Sequence, residues 1–524
     1  MTFDVIIAGA GPVGLMLAGE LRLAGAGALV LDRLPEPSGE AKANGLVGQV
    51  VPMMDRRGLY ERLGGPPGPP QPNSSYFMFA ALPLDLSLLE HSPIHTLAVP
   101  QPRQVEVLRD RAVELGAEIR WGTELLGFEQ DEDGVTVEVS DAEGVHRLRA
   151  RYLVGAEGAH SVTRKMSGID FPGMHYDRTL TRIANASVPS EWVEAATGML
   201  HVPGYGDIRP FLPLRTERGG FAWAPFPGRA PLLSTIEWDQ PEPAEPMSLD
   251  EMAASIARVL GVPVPLEPPA GDGPHALRRM AGGHTRVAER FRDRRIFLAG
   301  DAAHVFATGG GPGLNLGLQD AINLGWKLAA EIKGEAPAGL LDSYDTERGQ
   351  AARRTLRSAR TQAALQAPGS DVTALREVFA ELLADEPAVQ RIADLLAGSD
   401  IRYDMGDPDA HPLVGRVAPD LELDIDGSTV RIAELTRAAR PLLVDLTEGG
   451  VVSAAVPEWG DRVDVIAGRA TPPVRGVSAL LLRPDTYVAW MSTAPDPSAG
   501  DLASLRAALG RWLGTPVAAT PYVR

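Results

Sequence analysis

Three glycines near the start of the chain have the spacing that binds the diphosphate of a dinucleotide. Gly9, Gly11 and Gly14 lie where an apolar strand, Phe3 to Ala8, must turn into a helix beginning near Pro12. In this pattern the first glycine permits the turn, the second lets a diphosphate approach the backbone, and the third lets the helix pack closely on the strand. The helix N-terminus also offers unpaired N–H groups to the phosphates. We therefore predict a dinucleotide site.

An acid follows at the end of the second predicted strand. Ala28 to Leu31 is apolar, and Asp32 comes 23 positions after Gly9. A carboxylate at this place can accept hydrogen bonds from the adenosine ribose hydroxyls. An ordinary glycine-rich turn in an α/β domain would need no such acid. We therefore expect Asp32, with the adjacent Arg33, to contact the nucleotide.

Composition narrows the classes of protein. A length of 524 residues is too great for one core and suggests about three domains. The formal net charge of −18 argues against nucleic acid or an anionic membrane surface as partner. The absence of cysteine excludes disulfides, thiolate metal sites and cysteine nucleophiles. No apolar run resembles a signal peptide or a bilayer span, so we expect a cytoplasmic protein.

No metal site is predicted. His91 and His95 are four positions apart, but Pro93 between them is incompatible with a helical ligand pair.

The first part of the chain alternates strands and helices. Helices are predicted from about Val50 to Leu63 and from Gln101 to about Leu115, with a proline- and glycine-rich connection at residues 64–70. Between residues 118 and 150 the apolar period changes to two, which predicts an antiparallel meander. Tyr152 to Gly155 is then a short apolar strand that can re-enter the main sheet.

The rest of the chain changes pattern twice. Residues 170–275 contain strand-like segments broken by prolines, as in a separate sheet-based domain. The main sheet resumes at residues 294–301, followed by the glycine-rich loop 309–313 and a helix from Leu314 to about Lys333 that ends at Gly334. Further helices extend to about Leu396, and strands and a last helix then predict a third, compact α/β domain.

Three motifs in this order resemble a known family. They are Gly9 to Gly14 with Asp32, the segment Tyr152 to Gly158 with Ser161 and Arg164, and Gly300 to His304 leading to Asn315. The chain resembles the single-component (class A) FAD-dependent aromatic hydroxylases of the p-hydroxybenzoate hydroxylase fold, especially those that tailor aromatic polyketides. The resemblance runs essentially end to end.

The resemblance implies an α/β fold of three parts. A Rossmann-like FAD-binding domain with βαβ units would comprise residues 1–75, 98–169 and 276–400. A mixed-sheet substrate-binding domain would comprise residues 76–97 and 170–275. Residues 401–524 would form a degenerate thioredoxin-like domain. Without cysteine this domain cannot perform dithiol chemistry, and its expected role is packing or self-association. The protein is expected to be a monomer or a homodimer.

The third motif has a chemical reason. Asp301 at a strand end can accept hydrogen bonds from the ribityl hydroxyls that join phosphate to flavin ring. The glycines after it let backbone N–H groups and the helix N-terminus reach the pyrimidine end of the ring, where reduced flavin is anionic. Together with the nucleotide contacts already predicted, the resemblance implies that the following residues contact the cofactor: Gly9, Gly11, Pro12, Gly14, Asp32, Arg33, Lys42, Gln101, Arg103, Glu157, Gly158, Gly300, Asp301, Pro312, Gly313, Leu314 and Asn315.

The chain departs from the family pattern at several of these positions. Glu157 stands where the family usually has aspartate, and Lys42 stands where many relatives have arginine near the flavin. Thr308 and Pro312 replace the proline and glutamine of the relatives' loop, so Thr308, Gly311 and Pro312 are the residues expected near the reacting face. His304 is expected to be structural. An exposed turn carboxylate at Glu157 and a solvated helix start at Gln101 and Arg103 remain alternatives.

The expected activity is that of a flavin monooxygenase on a polycyclic aromatic polyketide. By resemblance, NADPH or NADH reduces FAD, dioxygen adds to the reduced ring, and the terminal oxygen of the C4a-hydroperoxide is transferred to the substrate. Five aromatic side chains could line a flat pocket, although alternate strand residues are often core: Phe211, Phe221, Trp223, Phe226 and Trp238. Baeyer-Villiger insertion at a ring ketone and a non-oxygenating flavin-binding scaffold remain the alternatives.

Overall fold

The structure is a computed structural model that describes residues 2–40, 42–226, 228, 230–269, 275–307, 311–472 and 476–516. Within these ranges the α-helices are α1 Pro12–Leu23, α2 Val50–Asp55, α3 Gln101–Glu114, α4 Val162–Met166, α5 Leu249–Leu260, α6 Pro312–Lys333, α7 Asp342–Gln366, α8 Ser370–Leu382, α9 Glu386–Ala397, α10 Ile432–Leu435 and α11 Ala499–Leu513.

The strands of the same ranges are β1 Thr2–Ala8, β2 Ala28–Asp32, β3 Gly45–Val47, β4 Tyr76–Phe79, β5 Leu82–Asp85, β6 Thr96–Ala98, β7 Glu118–Trp121, β8 Glu124–Gln130, β9 Val135–Asp141, β10 Gly144–Gly155, β11 Gly173–His175, β12 Thr179–Asn185, β13 Leu200–Val202, β14 Gly206–Ile208, β15 Leu214–Thr216, β16 Gly219–Ala224, β17 Leu232–Trp238, β18 Leu277–Ala281, β19 His284–Val287, β20 Arg292–Asp293, β21 Ile296–Leu298, β22 His304–Val305, β23 Glu422–Ile425, β24 Ser428–Arg431, β25 Leu442–Asp445, β26 Asp464–Ala467, β27 Arg469–Ala470, β28 Ala479–Leu482 and β29 Val488–Ser492.

The main sheet has the order β20-β21-β10-β1-β2-β7, with β21, β10, β1, β2 and β7 parallel. Both of its faces are covered, which explains why β1 is apolar at successive positions. Val5 and Ile7 face the helical side, in one core with residues of α1, α3 and α6. Ile6 and Ala8 face the other side, where they pack with residues of β8 and β9.

The predicted meander is present, but its third strand differs from the expectation. β10 is one continuous strand: its first half pairs antiparallel with β9, and its second half pairs parallel with β1. The meander therefore does not end before the main sheet but extends directly into it. The prediction had divided this segment in two, because its first half is half polar and its second half is apolar.

A second sheet has the order β15-β16-β17-β12-β18, and its strands β12 and β17 alternate regularly between buried and half-buried residues. The buried face packs against α5, which was missed at the sequence level. Its signals were present: Ser248 caps the helix by accepting from Glu251 N, and Gly261 ends it at φ 82°. The alternating strands and proline-rich turns around it had hidden a helix of 12 residues.

Two other helices have different limits from those predicted. The helix predicted to run to Leu63 ends at Asp55, and Gly58 adopts φ 66° shortly afterwards, outside the range of a helix. Helix α6 begins at Pro312 and not at Leu314. Proline suits this first position because its φ is preset for a helix and it lacks only an N–H that the helix would leave unpaired.

The C-terminal region contains a four-stranded sheet of order β26-β25-β28-β29, with β25 and β26 parallel and the other pairs antiparallel. Helix α11 contributes Leu505, Leu509 and Trp512 to the core that continues into the main sheet. The β4–β5 hairpin packs on α9. No helix of the described ranges is long and apolar enough to span a bilayer.

Candidate functional site

The three glycines of the first loop have different surroundings. Gly9 has φ 107°, and a Cβ there would overlap the carbonyl oxygen of Ala156. A Cβ at Gly14 would overlap the carbonyl oxygen of Gly9, so the helix and strand are in close contact. At Gly11, by contrast, a Cβ would meet no atom of the described residues within 4 Å. The open space is therefore at the glycine expected to face the diphosphate.

Asp32 is fixed beside this loop by the backbone. Its Oδ2 accepts a hydrogen bond from Ala10 N at 2.8 Å, and its Oδ1 accepts one from Leu34 N at 2.9 Å. The carboxylate is thus held at the mouth of the loop, with remaining lone pairs for further donors. The adjacent Arg33 is exposed. The ribose contact of Asp32 stays a prediction.

Asp301, the second acid predicted to contact the cofactor, lies where helices α6 and α1 are in close contact. Gly300 adopts φ 62°, and a Cβ there would come within 2.9 Å of Val13. The Asp301 side chain that follows is open to solvent on one side of a cleft. Desolvation by the surrounding protein nevertheless raises its pKa, while the positive charges of His304 and Lys42 oppose the shift. A carboxylate in this setting is suited to accept hydrogen bonds from a polyhydroxylated chain.

The N-terminus of α6 approaches this carboxylate. Gly311 caps the helix in the left-handed conformation at φ 61°, and a Cβ at Gly313 would lie 3.5 Å from Asp301 Oδ1. The backbone N–H groups of Gly313 and Leu314 belong to the first turn, where helical N–H groups lack helical partners. Thr308, with Gly309 and Gly310, lies outside the described residues.

Asn315 connects two parts of the site. Its Oδ1 accepts from Val47 N at 3.0 Å, and its Nδ2 donates to Gly311 O at 3.0 Å. The side chain therefore holds β3 to the loop before α6. A direct contact of this amide with a cofactor is not needed to explain its position.

A small cavity adjoins Pro312 and Asn315. It has a volume of about 90 Å³ and lies between α6, α7 and α9, where Phe77, Met78, Arg354 and Gln362 contribute to its walls. This volume can hold a few waters and is far smaller than a polycyclic ligand.

Glu157 has a local structural partner. Its Oε1 accepts from Thr163 N at 2.7 Å at the start of α4, while its Oε2 is buried without a hydrogen-bond partner among the described residues. The residue is neither the exposed turn carboxylate of the alternative interpretation nor fully satisfied. Gly158 follows at φ 87°. Arg164 of the same motif donates to Ala302 O at 2.8 Å and so connects the second and third motifs.

Three further predicted contacts, Lys42, Gln101 and Arg103, have partners within the protein. Lys42 is exposed and lies 3.6 Å from Glu40, which also pairs with Arg278 of β18 at 2.8 Å. Gln101 opens α3, and its backbone N–H donates to Ala43 O at 2.9 Å. Arg103 is half-exposed and pairs with Glu106. The structure brings Lys42 close to Asp301 but gives Arg103 a surface role of its own.

The five predicted substrate contacts lie in different environments. Phe221 and Trp223 are buried in the core between β16 and α5, and Trp223 Nε1 donates to Gly198 O at 2.9 Å. The prediction was wrong for these two, because their strand directs odd-numbered side chains toward the helix. Phe211 and Phe226 contact each other edge to face at 5.1 Å. Trp238 is half-buried.

Of the predicted contacts, Trp238 lies on the opposite face of the five-stranded sheet, whose central residues were missed. This face carries small and medium side chains at the centre, at Ala222, Ser234 and Ile236, all half-buried. At one edge Arg278 reaches the Glu40 loop, and at the other Arg215 donates to Ala367 O after α7. Both edges of this face are therefore in contact with the nucleotide-binding part of the chain. Because side chains alternate between the two faces of a strand, the residues between the aromatic ones could have been assigned to this opposite face.

This geometry fits FAD: an open Gly11, a carboxylate at Asp301 and a helix N-terminus lie along one path. The parallel sheet, with helices on one face and the β8–β9 meander on the other, and this site together define a flavin-dependent oxidoreductase. The FAD binding domain family matches residues 2–359, and the family described as aromatic-ring hydroxylase, C-terminal, matches residues 411–516. The chain belongs to the class A FAD-dependent aromatic hydroxylases, in the subgroup that tailors polyketides.

Individual relatives cover nearly the whole chain. It is 40% identical over 525 residues to the 12-dehydrotetracycline 5-monooxygenase/anhydrotetracycline 6-monooxygenase of Streptomyces rimosus subsp. rimosus, covering 98% of this chain and 100% of the relative. The OxyS anhydrotetracycline hydroxylase from Streptomyces rimosus has a TM-score of 0.85 at 38% identity, covering 99% and 100%. The Diels-Alderase PyrE3 in the biosynthetic pathway of pyrroindomycins has a TM-score of 0.77 at 32% identity, covering 98% and 100%. The chain is an FAD-dependent monooxygenase.

Proposed function

We propose that this monooxygenase hydroxylates a polycyclic aromatic polyketide at the expense of NADPH or NADH. The observation that carries the proposal is the half-buried sheet face whose edges contact the nucleotide-binding part of the chain, with small side chains such as Ala222 and Ser234 at its centre. A flat, multi-ring molecule can lie against such a surface without displacing large side chains.

The same proposal assigns roles to the residues that would hold FAD. Gly11 and the first turn of α1 would receive the diphosphate, and Asp32 the adenosine ribose. Asp301 would accept from the ribityl hydroxyls. The N–H groups of Gly313 and Leu314 would face the pyrimidine end of the ring, where the positive end of the α6 dipole favours negative charge. Bound FAD would accept reducing equivalents from the nicotinamide nucleotide and activate dioxygen.

The protein's contribution would be binding, orientation and exclusion of water. Asn315 would keep β3 and the α6 loop at a fixed separation around the ring, through its bonds to Val47 N and Gly311 O. Glu157 holds the start of α4 and its unpaired Oε2 could receive a donor from a cofactor. Thr308, Gly311 and Pro312 remain the residues proposed to lie near the reacting face.

The division into three domains is part of this proposal. The strand order β26-β25-β28-β29 supports a thioredoxin-like C-terminal domain. The regular five-stranded sheet with α5 supports a separate substrate-binding unit between residues 170 and 275. Because the β4–β5 hairpin packs on α9, we assign residues 76–97 to the FAD-binding unit and not to the substrate-binding unit.

The test measures consumption and product together. Purified protein is assayed for NADPH and NADH oxidation and for oxygen uptake, with and without a panel of tetracyclic aromatic polyketides. We expect the substrate to stimulate both nucleotide oxidation and oxygen uptake, and the product to carry one new hydroxyl group. A ring-expanded lactone would instead establish Baeyer-Villiger insertion. Bound FAD that neither nucleotide reduces across a broad panel would contradict the proposal.

A further inference from the structure

A buried ionic cluster lies directly beneath the turn that carries Asp301. Asp320 of α6 accepts hydrogen bonds from Gly300 N at 3.0 Å and from His304 Nε2 at 2.7 Å through its Oδ2. Arg348 of α7 donates to its Oδ1 at 2.7 Å. The side chains of Asp320 and Arg348 are only 0% and 1% exposed. The residue just before Asp301 is thus held by a carboxylate whose own geometry depends on an arginine.

The cluster extends into the C-terminal region. Arg348 also donates to Leu316 O at 3.0 Å and to the Tyr403 hydroxyl at 2.8 Å. The rings of Tyr403 and Tyr487 are stacked, with their centroids 4.2 Å apart. A continuous set of contacts therefore connects the C-terminal sheet with the Gly300–Asp301 turn.

The turn allows little displacement. A Cβ at Gly317 would lie 2.9 Å from Gly300 Cα and 2.8 Å from Val13. Because α1, α6 and the turn are in such close contact, a shift of Gly300 would move Asp301 relative to both the diphosphate loop and the N-terminus of α6.

We propose that Asp320, Arg348 and Tyr403 are positioning residues through which the C-terminal region fixes the Gly300–Asp301 turn for FAD. The proposal rests on the proposed role of Asp301 toward FAD. It assigns the C-terminal region a part in cofactor binding and does not depend on which substrate is oxidised.

A second buried cluster at the same junction provides the control. Lys327 of α6 lies 2.7 Å from Glu347 of α7, which pairs with Arg483 of the C-terminal region at 2.6 Å. Their side chains are as buried as those of the first cluster. Within the described residues, none of its hydrogen bonds reaches residues 300–304.

The experiment compares Arg348→Met with Lys327→Met. Both variants remove one buried cation and should lower the thermal midpoint. FAD is removed from the purified protein, and its Kd is measured by titration at a temperature where each variant is folded. Arg348→Met should bind FAD about tenfold or more weakly, the effect of disturbing a hydrogen bond to a charged group, while Lys327→Met should retain wild-type affinity. Arg348→Lys should recover part of the loss.

A pH profile separates positioning from general destabilisation. His304, Arg348 and Tyr344 are the titratable groups that face Asp320. Without Arg348, Asp320 should take up a proton more readily, at the Oδ1 that Arg348 no longer occupies, and the neutral carboxyl should accept more weakly from Gly300 N. The FAD affinity of Arg348→Met should therefore fall more steeply with acidification than that of Lys327→Met.

Milder variants keep the test decisive if Arg348→Met does not fold. Tyr403→Phe removes one hydroxyl and should weaken FAD binding measurably, with a partial shift in the flavin absorption band. Equal FAD affinity in both cluster variants, or losses that follow only the thermal midpoints, would overturn the proposal. Since the readout is FAD binding, a failure to oxidise any substrate would not affect the result.

Discussion

Replacement of Gly11 by alanine should separate cofactor binding from folding. Gly11 has φ −73° and ψ 177°, which alanine adopts without strain. No atom of the described residues lies within 4 Å of the added Cβ. The apoprotein should therefore fold normally and gain about 0.4–1 kcal/mol, because alanine has fewer unfolded conformations than glycine.

FAD binding should show the opposite response. The new methyl group would occupy the space where the diphosphate approaches the backbone. Losing one or two backbone hydrogen bonds to a charged phosphate costs roughly 1.5–3 kcal/mol each. The expected loss of about 1.5–6 kcal/mol corresponds to an FAD Kd raised roughly 10- to 10⁴-fold.

Gly14→Ala is the matched control, since its Cβ would overlap the Gly9 carbonyl oxygen. This variant should lose stability even without FAD, because α1 must move away from β1. The assay combines thermal unfolding of the apoproteins with FAD titration followed by flavin fluorescence. Wild-type FAD affinity in Gly11→Ala would refute the assignment of the diphosphate to this loop.

Three other predictions concern the rest of the site. Asp301→Asn should stabilise the apoprotein at neutral pH and weaken FAD binding. Because desolvation raises the pKa of Asp301 in the folded state, the gain in thermal midpoint should shrink as the pH falls through that pKa. Ala222→Leu should raise the KM for a polycyclic substrate in steady-state assays while leaving thermal stability nearly unchanged, whereas Phe221→Ala in the core should cost about 3–5 kcal/mol in chemical denaturation. Asn315→Ala removes the bonds to Val47 N and Gly311 O and should weaken FAD binding about tenfold in titration.

The nucleotide-binding elements were predictable because local rules decide them. The spacing of Gly9, Gly11 and Gly14, with one apolar strand before them and one after, specifies β1, α1 and β2, and the structure has these elements where the sequence indicated. The long apolar helix after the glycine-rich loop was found to within two residues of its start, the difference being Pro312. Such elements are encoded in short windows of sequence.

The buried aromatics and the ionic cluster depend on partners far away in the chain. Phe221 and Trp223 face α5, which was not recognised. The wrong face of their strand was therefore predicted to contact the substrate. Asp320 and Arg348 meet only because α6 and α7 pack side by side beneath Gly300. The sequence did contain one signal, because Asp320 is a charged residue within the apolar stretch of α6. No sequence pattern, however, identifies Arg348 as its partner.

Oxidation of an aromatic polyketide under ¹⁸O₂ with NADPH, followed by mass analysis of the product, tests most directly whether the enzyme is a hydroxylase. We expect a product that contains one oxygen atom derived from dioxygen, as a hydroxyl group, with NADPH and oxygen consumed together. Because the chain is also similar to the Diels-Alderase PyrE3, a different outcome can be specified. An unlabelled isomer of the substrate, formed without NADPH consumption, would show that the enzyme does not hydroxylate this substrate.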